Sequence, residues 1–506
     1  MLPSTTVQLG RLTICRSMPE TIVHQLSRQI RELILSGKLA IGTRIPSTRE
    51  LGNELRVSRT TVRESYEQLV AESYLSSSVG KGTFVIDHPV LRAPPRKPSD
   101  VALASNRPTS MSPQFSPKLS KRGKRYRDIP SYYTSSQLLP FNPAVPDFSL
   151  FPYSKWTRIL KKTLVNLQST AMNYSDAAGY PPLKRAIAEN LRLTRGLSCE
   201  AEQVIIVASS EQAIHRIVTL LLNREDSVWF GEPGMISRRN AFASEGIHAM
   251  TVPVDDEGVV VEQAYRLKGS VKLAYVQPSR HYPFEKMMSL PRRLELLNWA
   301  ASRNAWILED DYCCEFNYSG QAPPPIQTLD YDQRVIYMGG FSSTLFPSLR
   351  IAYIVVPRSL VKVANNMAQA ELSVATVQQP ALAEFISQGH FMSYVRKMRK
   401  TYQKRQQFLA HFLQKHIGEM ATISGTGGGL NFILNLPAEI NDAKLSEKLS
   451  AAGIIAHPLD DYYLHQNTPN NLRLNGLVIG FACASTAQLE KAAISLIEHL
   501  DVIKGE

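Results

Sequence analysis

The run Ser58-Arg59-Thr60-Thr61-Val62-Arg63 concentrates side chains that bind anions. An arginine can grip a phosphate or read a guanine edge with two hydrogen bonds, and a threonine can bond a phosphate or touch a thymine methyl. Farther on, Gly80-Lys81-Gly82 sets one lysine between two glycines. A second set of reactive groups stands in the other half of the chain. Asp310 and Tyr312 fall in ILEDDY, and Ser343 and Arg350 fall in FSSTLFPSLR. An acid at the end of an apolar run can cap a helix, pair with an arginine or face a ligand, and the residues alone leave all three open.

Elements that could position the first set are legible from periodicity. PETIVHQLSRQIRELILSGKL places Ile22, Leu26, Ile30, Leu33 and Ile34 on one helical face, and Gly37 supplies a stop. IPSTRELGNELRVSRTTVRESYEQLVAESYL predicts two more helices. The first is capped by Ser47 and runs through Leu55; the second is capped by Ser58 and buries Val62, Tyr66 and Leu69. Only Arg56-Val57 separates them, which is helix-turn-helix spacing. The exposed start of the second helix is the end that enters a major groove. YLSSSVGKGTFVI then reads as a hairpin whose Gly-Lys-Gly tip suits a wing against a minor groove or backbone.

Residues 91–135 change character. APPRKPSD, NRPTSMSPQFSPKL and SKRGKRYRDIP are rich in Pro, Ser, Lys and Arg and poor in large apolar residues, the composition of an extended linker. From residue 136 to 506, short β-branched runs alternate with amphipathic helices. VIIVASS precedes a helix from near Gln212, VKLAYVQPS precedes LPRRLELLNWAASRN, and AWILEDDY and RVIYMGG follow. That alternation predicts an α/β fold with a mostly parallel sheet.

The totals constrain partners. The net charge of +13 favours an anionic partner, with nucleic acid foremost. The five cysteines form no CxxC pair, so neither a zinc site nor a disulfide framework is expected, which fits a reducing cytoplasm. No apolar run approaches the ~18 residues that span a bilayer, and MLPSTTVQLGR does not have the layout of a signal peptide.

Taken together, TRIPSTRELGNELRVSRTTVRESYEQLVAESYLSSSVGKGTFV resembles the GntR-type winged helix over nearly all of residues 18–86. The resemblance implies that Arg49, Ser58, Arg59, Thr60, Thr61, Arg63, Gly80 and Lys81 contact operator DNA, with Arg44 a further candidate. In the second half, FNPAVPDFSLFP, NYSDAAGYPPLKRAIAENL, GEPGM, PSRHYPFEKMMSLPRR, ILEDDYCCEF and FSSTLFPSLRIAY occur in this order. They resemble the fold-type I, aspartate-aminotransferase-like domain of the MocR regulators, a subfamily of GntR proteins, over about 140–500. The implied architecture is a winged helix at 1–90, a basic linker at 91–135 and an effector-binding, dimerising domain at 136–506.

A pyridoxal-phosphate site needs a lysine amine, an acid beside the pyridine nitrogen, a phosphate cup, a stacking group and an arginine for a substrate carboxylate. By resemblance Asp310 is the acid, Tyr312 the partner of the cofactor's 3-hydroxyl, and Arg350 the phosphate arginine, with Ser210 in the phosphate-loop stretch ASSEQA. Other positions depart from the family pattern. Ser343 stands at the lysine position, and a hydroxyl cannot form an imine. Ser209 replaces a glycine and Glu211 adds negative charge. Met235 replaces a stacking ring, Pro283-Phe284-Glu285 replaces Pro-Thr-Gly, and Val478 falls where an arginine is usual, Arg473 being the nearest. Lys286, three residues after Pro283, lies by resemblance on a loop near the site and reads otherwise as an exposed loop lysine, while His215 and His281 read as surface or core residues. The expectation is therefore a homodimeric, cytoplasmic, DNA-binding regulator with an unidentified small-molecule effector. Its aminotransferase-like domain has lost covalent pyridoxal-phosphate anchoring. The alternatives are non-covalent pyridoxal-phosphate binding through a vestigial site and, further off, an active aminotransferase fused to a DNA-binding domain.

Overall fold

A computed structural model describes residues 12–78, 81–87, 119–120, 123–124, 138–167, 176–267, 269–320, 323–371, 374–464 and 473–505. The chain divides into two compact units, Met1–Pro117 and Lys118–Glu506. The division falls inside the stretch read as a linker, most of which lies outside the described residues.

The first unit contains α1 (Ile22–Leu35), β1 (Arg44–Ile45), α2 (Thr48–Leu55), α3 (Arg59–Ala71), β2 (Leu75–Ser78) and β3 (Gly82–Val85). The strands form an antiparallel sheet in the order β1-β3-β2. Ser47 caps α2 through a capping box with Glu50, and the Ser58 hydroxyl accepts from the Thr61 amide at 3.0 Å to start α3. Arg56 takes a left-handed conformation (φ 53°) in the turn between them. Leu26, Ile30 and Ile34 of α1 pack with Val62, Tyr66 and Leu69 of α3 in one core. The Tyr66 hydroxyl donates to the Pro46 carbonyl at 3.0 Å, tying α3 to the entry of α2.

The second unit is built on an eight-stranded sheet of order β4-β11-β10-β9-β8-β5-β6-β7. Its strands are β4 (Val204–Val207), β5 (Ser227–Glu232), β6 (His248–Asp255), β7 (Gly258–Val259), β8 (Val271–Val276), β9 (Trp306–Asp310), β10 (Val335–Gly340) and β11 (Ala352–Val355). Strands β10, β9, β8, β5 and β6 run parallel, while β4, β11 and β7 join antiparallel. Six helices bear on the argument: α4 (Tyr153–Leu167), α5 (Pro181–Arg195), α6 (Ser210–Leu221), α7 (Ile236–Glu245), α8 (Leu290–Arg303) and α9 (His390–Ile417). Alternate residues of β10 enter different cores, Ile336 and Met338 on one face and Tyr337 on the other, so the strand is apolar throughout. A smaller antiparallel sheet, β12 (Thr422–Ser424), β13 (Asn431–Asn435), β15 (Gly476–Gly480) and β14 (His457–Pro458), completes the unit.

Parallel strands ending side by side create a crevice at their carboxyl ends, the ordinary ligand position of such sheets. Here β5 ends at Glu232, β9 at Asp310 and β10 at Gly340. Just behind this edge lies a buried ion pair. Arg195 Nε donates to Asp311 Oδ2 at 2.8 Å and Nη2 to Oδ1 at 3.0 Å, while the Tyr337 hydroxyl donates to Oδ2 at 2.6 Å. Burial pushes the Asp311 carboxyl up, but Arg195 and these hydrogen bonds outweigh it and hold the group below its ordinary range. Substituting Arg195→Met would strand a buried charge. Urea unfolding should then show a loss on the order of 3–5 kcal/mol, largely relieved in the double variant with Asp311→Asn.

Candidate functional site

On the first unit, Arg49, Ser58, Arg59, Thr60, Arg63 and Lys81 are exposed and Thr61 is half-buried. The first turn of α3 brings five of these seven together, and Lys81 stands at the hairpin between β2 and β3. Gly80 lies outside the described residues. The side chains differ in freedom. Ser58 and Thr61 share a hydroxyl–hydroxyl bond at 2.8 Å, so both are engaged in starting the helix. Arg59 reaches Thr48 with a long bond of 3.4 Å, and Arg63 meets Glu67 at 3.7 Å with both side chains well exposed. Such contacts yield readily to a stronger anion. Arg44 is half-buried along the wing beside Gly82, whose φ of 107° favours glycine.

In the crevice of the second unit, Asp310 is buried at the end of β9. Its Oδ2 accepts from the Tyr275 hydroxyl at 2.7 Å and from Arg238 Nε at 3.1 Å. Arg238, in the first turn of α7, also donates through Nη1 to Glu211. One largely enclosed guanidinium thus bridges the strand-end acid and a carboxylate at the start of α6. Burial pushes Glu211 up, but Arg238, its own helix-start amide, Ser209 and Arg350 together hold it below the ordinary glutamate range. Ser209 is extended (φ −165°) and caps α6, accepting from the Gln212 amide at 3.2 Å while Gln212 accepts from the Ala208 amide at 2.7 Å. The position therefore tolerates a side chain, and the helix start carries its own anion. Ser210 occupies the first position of α6, half-buried, and Arg350 is exposed in a left-handed turn (φ 51°).

Tyr312, two residues past Asp310, has a buried hydroxyl with only the Cys313 thiol beside it and meets Tyr282 edge-on at 5.8 Å. Ser343 is half-buried in the turn after β10, its hydroxyl against the Cys313 thiol. Lys286 turns away, pairing at 2.5 Å with the exposed Asp256. Among the described residues no lysine amine bonds Asp310, Tyr312 or Ser343. Three residues that depart from the family pattern, Met235, Phe284 and Val478, are buried in a single apolar cluster with Tyr282, Ile433 and Tyr462. Space where the resemblance implies a stacking ring and a carboxylate-binding arginine is packed as core. Arg473 pairs instead with Asp460 at 3.6 Å and lies over the Tyr463 ring. His281 is buried, its Nε2 2.8 Å from the Pro233 carbonyl, and burial lowers it to about 4; His215 is at the surface beside Glu245.

Two family models match: "Bacterial regulatory proteins, gntR family" over 22–85 and "Aminotransferase class I and II" over 147–496. The "Probable rhizopine catabolism regulatory protein MocR" of Rhizobium meliloti is 34% identical over 475 residues, 93% of this chain and 92% of that protein. The chain is a MocR-type member of the GntR family. Another relative of this MocR-type chain is the HTH-type pyridoxine biosynthesis transcriptional regulator PdxR of Corynebacterium glutamicum, 28% identical over 92% of each protein. In fold, the MocR-type chain is similar to the multiple substrate aminotransferase of Thermococcus profundus (TM-score 0.68, 23% identity, 76% of this chain, 98% of that one). No helix among the described residues is long and apolar enough to cross a membrane.

Arg238 was not singled out from the sequence. Its only signal is the basic doublet in SRRN, three residues past Met235, which reads equally well as a solvated helix face. Glu285 is the other feature whose setting could not be foreseen. Its carboxylate is fully buried with neither oxygen hydrogen-bonded, although Arg280 Nη1 lies 3.6 Å away. A Cβ on Gly429 (φ 77°) would lie 2.3 Å from Glu285 Oε2. Burial pushes Glu285 up to about 8, from 4.5 in the ordinary case. The folded state then holds a proton that the unfolded chain releases, so stability falls as pH climbs between those two values. Glu285→Gln should match the parent chain at pH below that window and exceed it above, on the order of 2–4 kcal/mol by urea unfolding. An unchanged pH slope would mean that Glu285 is ionised against Arg280 throughout.

Proposed function

We propose that this chain is a DNA-binding transcriptional regulator whose aminotransferase-like domain works as a sensor without Schiff-base chemistry. The observation that carries the second half is the Arg238 bridge. Asp310, the acid that would stabilise a pyridinium, is already paired with a guanidinium. The start of α6, where a phosphate would sit, already holds Glu211. Residue 343 offers a hydroxyl in place of an amine. These residues do not fit covalently held pyridoxal phosphate, and the packing of Met235, Phe284 and Val478 into one cluster supports the same reading. Transaminase activity is accordingly not expected. Two carboxylates share one guanidinium here, with Arg350 adding a weaker attraction to Glu211, so the chain supplies countercharge to the crevice from its own side chains.

The DNA half of the reading places the start of α3 in a major groove, with Arg59 and Arg63 on phosphate or base edges and Lys81 at the wing. Arg49, Thr60 and Gly80 are assigned to the same surface, and Ser58 and Thr61 contribute mainly by fixing the helix start. By family resemblance the protein works as a homodimer in the cytoplasm, one winged helix on each half-site, under control of a small-molecule effector. In a gel-shift assay with the DNA upstream of its own coding region, the chain should retard the band. Arg59→Ala and Arg63→Ala should each weaken binding by about 1–3 kcal/mol, or lower the salt slope by about 1 if the lost contact is to phosphate. No shift on any neighbouring promoter would refute the regulator reading. Incubation with pyridoxal phosphate and then borohydride should leave no covalent adduct, and an adduct would refute the loss of anchoring.

One observation favours the neighbouring reading, a regulator that still binds pyridoxal phosphate non-covalently. The Tyr312 hydroxyl is buried with only the weakly bonding Cys313 thiol beside it, and Arg350 stays exposed. Operator affinity measured with and without pyridoxal phosphate separates the two, since a vestigial but working site would move it.

A further inference from the structure

A cavity of about 460 Å³ lies outside the crevice, between the end of α5, the loop after β9 and the start of α9. Its walls include Leu191, Glu315, Tyr353, Phe391, Val395 and Arg399. Neither Asp310, Tyr312 nor Arg350 lines it. The size suits a single small molecule.

Its charges are unevenly spent. Arg195, on one wall, is committed to Asp311 and Ser279. Arg399 uses Nε on the Glu315 carbonyl at 2.6 Å, and its guanidinium makes no ion pair among the described residues. The Glu315 carboxylate likewise has no ion pair there; its own amide and the Cys314 thiol are its contacts. Burial, with Asp311 nearby, pushes Glu315 up to about 7, outweighing its own amide, the Cys314 thiol and the pull of Arg195, whose guanidinium is committed to Asp311. Leu191, Phe391 and Val395, all nearly inaccessible, supply an apolar wall beside these two groups. A cavity offering one unpaired acid, one unpaired guanidinium edge and an apolar wall is complementary to a molecule with an ammonium, a carboxylate and an apolar body.

We infer that this cavity binds a small zwitterion, its ammonium against Glu315, its carboxylate on the Nη edge of Arg399, and its aliphatic or aromatic body against Leu191, Phe391 and Val395. The site is separate from the crevice but adjoins it. Arg195 and Tyr337, both on the cavity wall, hold Asp311, the chain neighbour of Asp310.

Calorimetric titration of the full chain with L-phenylalanine and L-leucine tests this, with 3-phenylpropanoate and phenethylamine as probes that each lack one charge. At least one amino acid should bind saturably at one site per chain. Both single-charge probes should bind at least about tenfold more weakly than L-phenylalanine if that is the ligand that binds, and 4-methylpentanoate and isoamylamine serve the same purpose for L-leucine. Glu315→Gln and Arg399→Gln should each weaken the amino acid by a similar factor, with unchanged melting temperature confirming that the variants fold. If neither amino acid saturates at millimolar concentration, the inference fails. It also fails if removing either charge from the ligand has no effect, an arm that needs no variant. The titration contains no DNA, so its failure leaves the regulator reading standing, and loss of operator binding would leave this site untouched.

Discussion

A charge taken out of water must find a partner, and in this chain the aminotransferase-like crevice meets that demand from within. Arg238 reaches Asp310 on one side and Glu211 on the other, at the carboxyl edge of the parallel strands where a ligand would ordinarily supply the countercharge. Asp310 has 4% of its side chain exposed and Arg238 11%, so neither is paired by solvent. Removing either would leave a buried charge without its partner. The arrangement of α6 and α7 over the sheet depends on this bridge, because it ties the first turns of both helices to the end of β9. Around it, Met235, Phe284 and Val478 are apolar and lie in one packed cluster.

The winged helix is under the opposite constraint, since its active surface must stay unsatisfied. Every helix begins with amide groups that need acceptors, and α3 spends Ser58 and Thr61 on that need while leaving Arg59, Thr60 and Arg63 toward solvent. Its apolar face is fully used against α1. The division of labour within one turn explains why residues adjacent in sequence carry different roles in the proposed DNA contact.

Much of this architecture was readable from local signals. Ser47 and Ser58 stand before apolar-periodic runs, and both cap the helices expected of them. The runs VIIV, VKLAYV, WILED and VIYMGG each form strands because continuous apolarity suits a sheet covered on both faces. What stayed hidden are pairings between distant residues. Arg238 and Asp310 are 72 residues apart, and Arg195 and Asp311 are 116 apart, and no local pattern tells which arginine will meet which acid. Ser209 stands where the family pattern has a glycine, yet its extended backbone and capping bond make it an ordinary helix start. Glu285 in sequence is one more carboxylate, and only its burial, invisible locally, pushes it up to about 8.

The account turns on whether the crevice is closed to the cofactor by its own guanidinium. Titration of pyridoxal phosphate into the purified chain, followed by heat and by absorbance, measures that directly. The account predicts no saturable binding and no yellow imine band in the parent chain. Saturable binding of one pyridoxal phosphate per chain, with Arg238 intact, would contradict it.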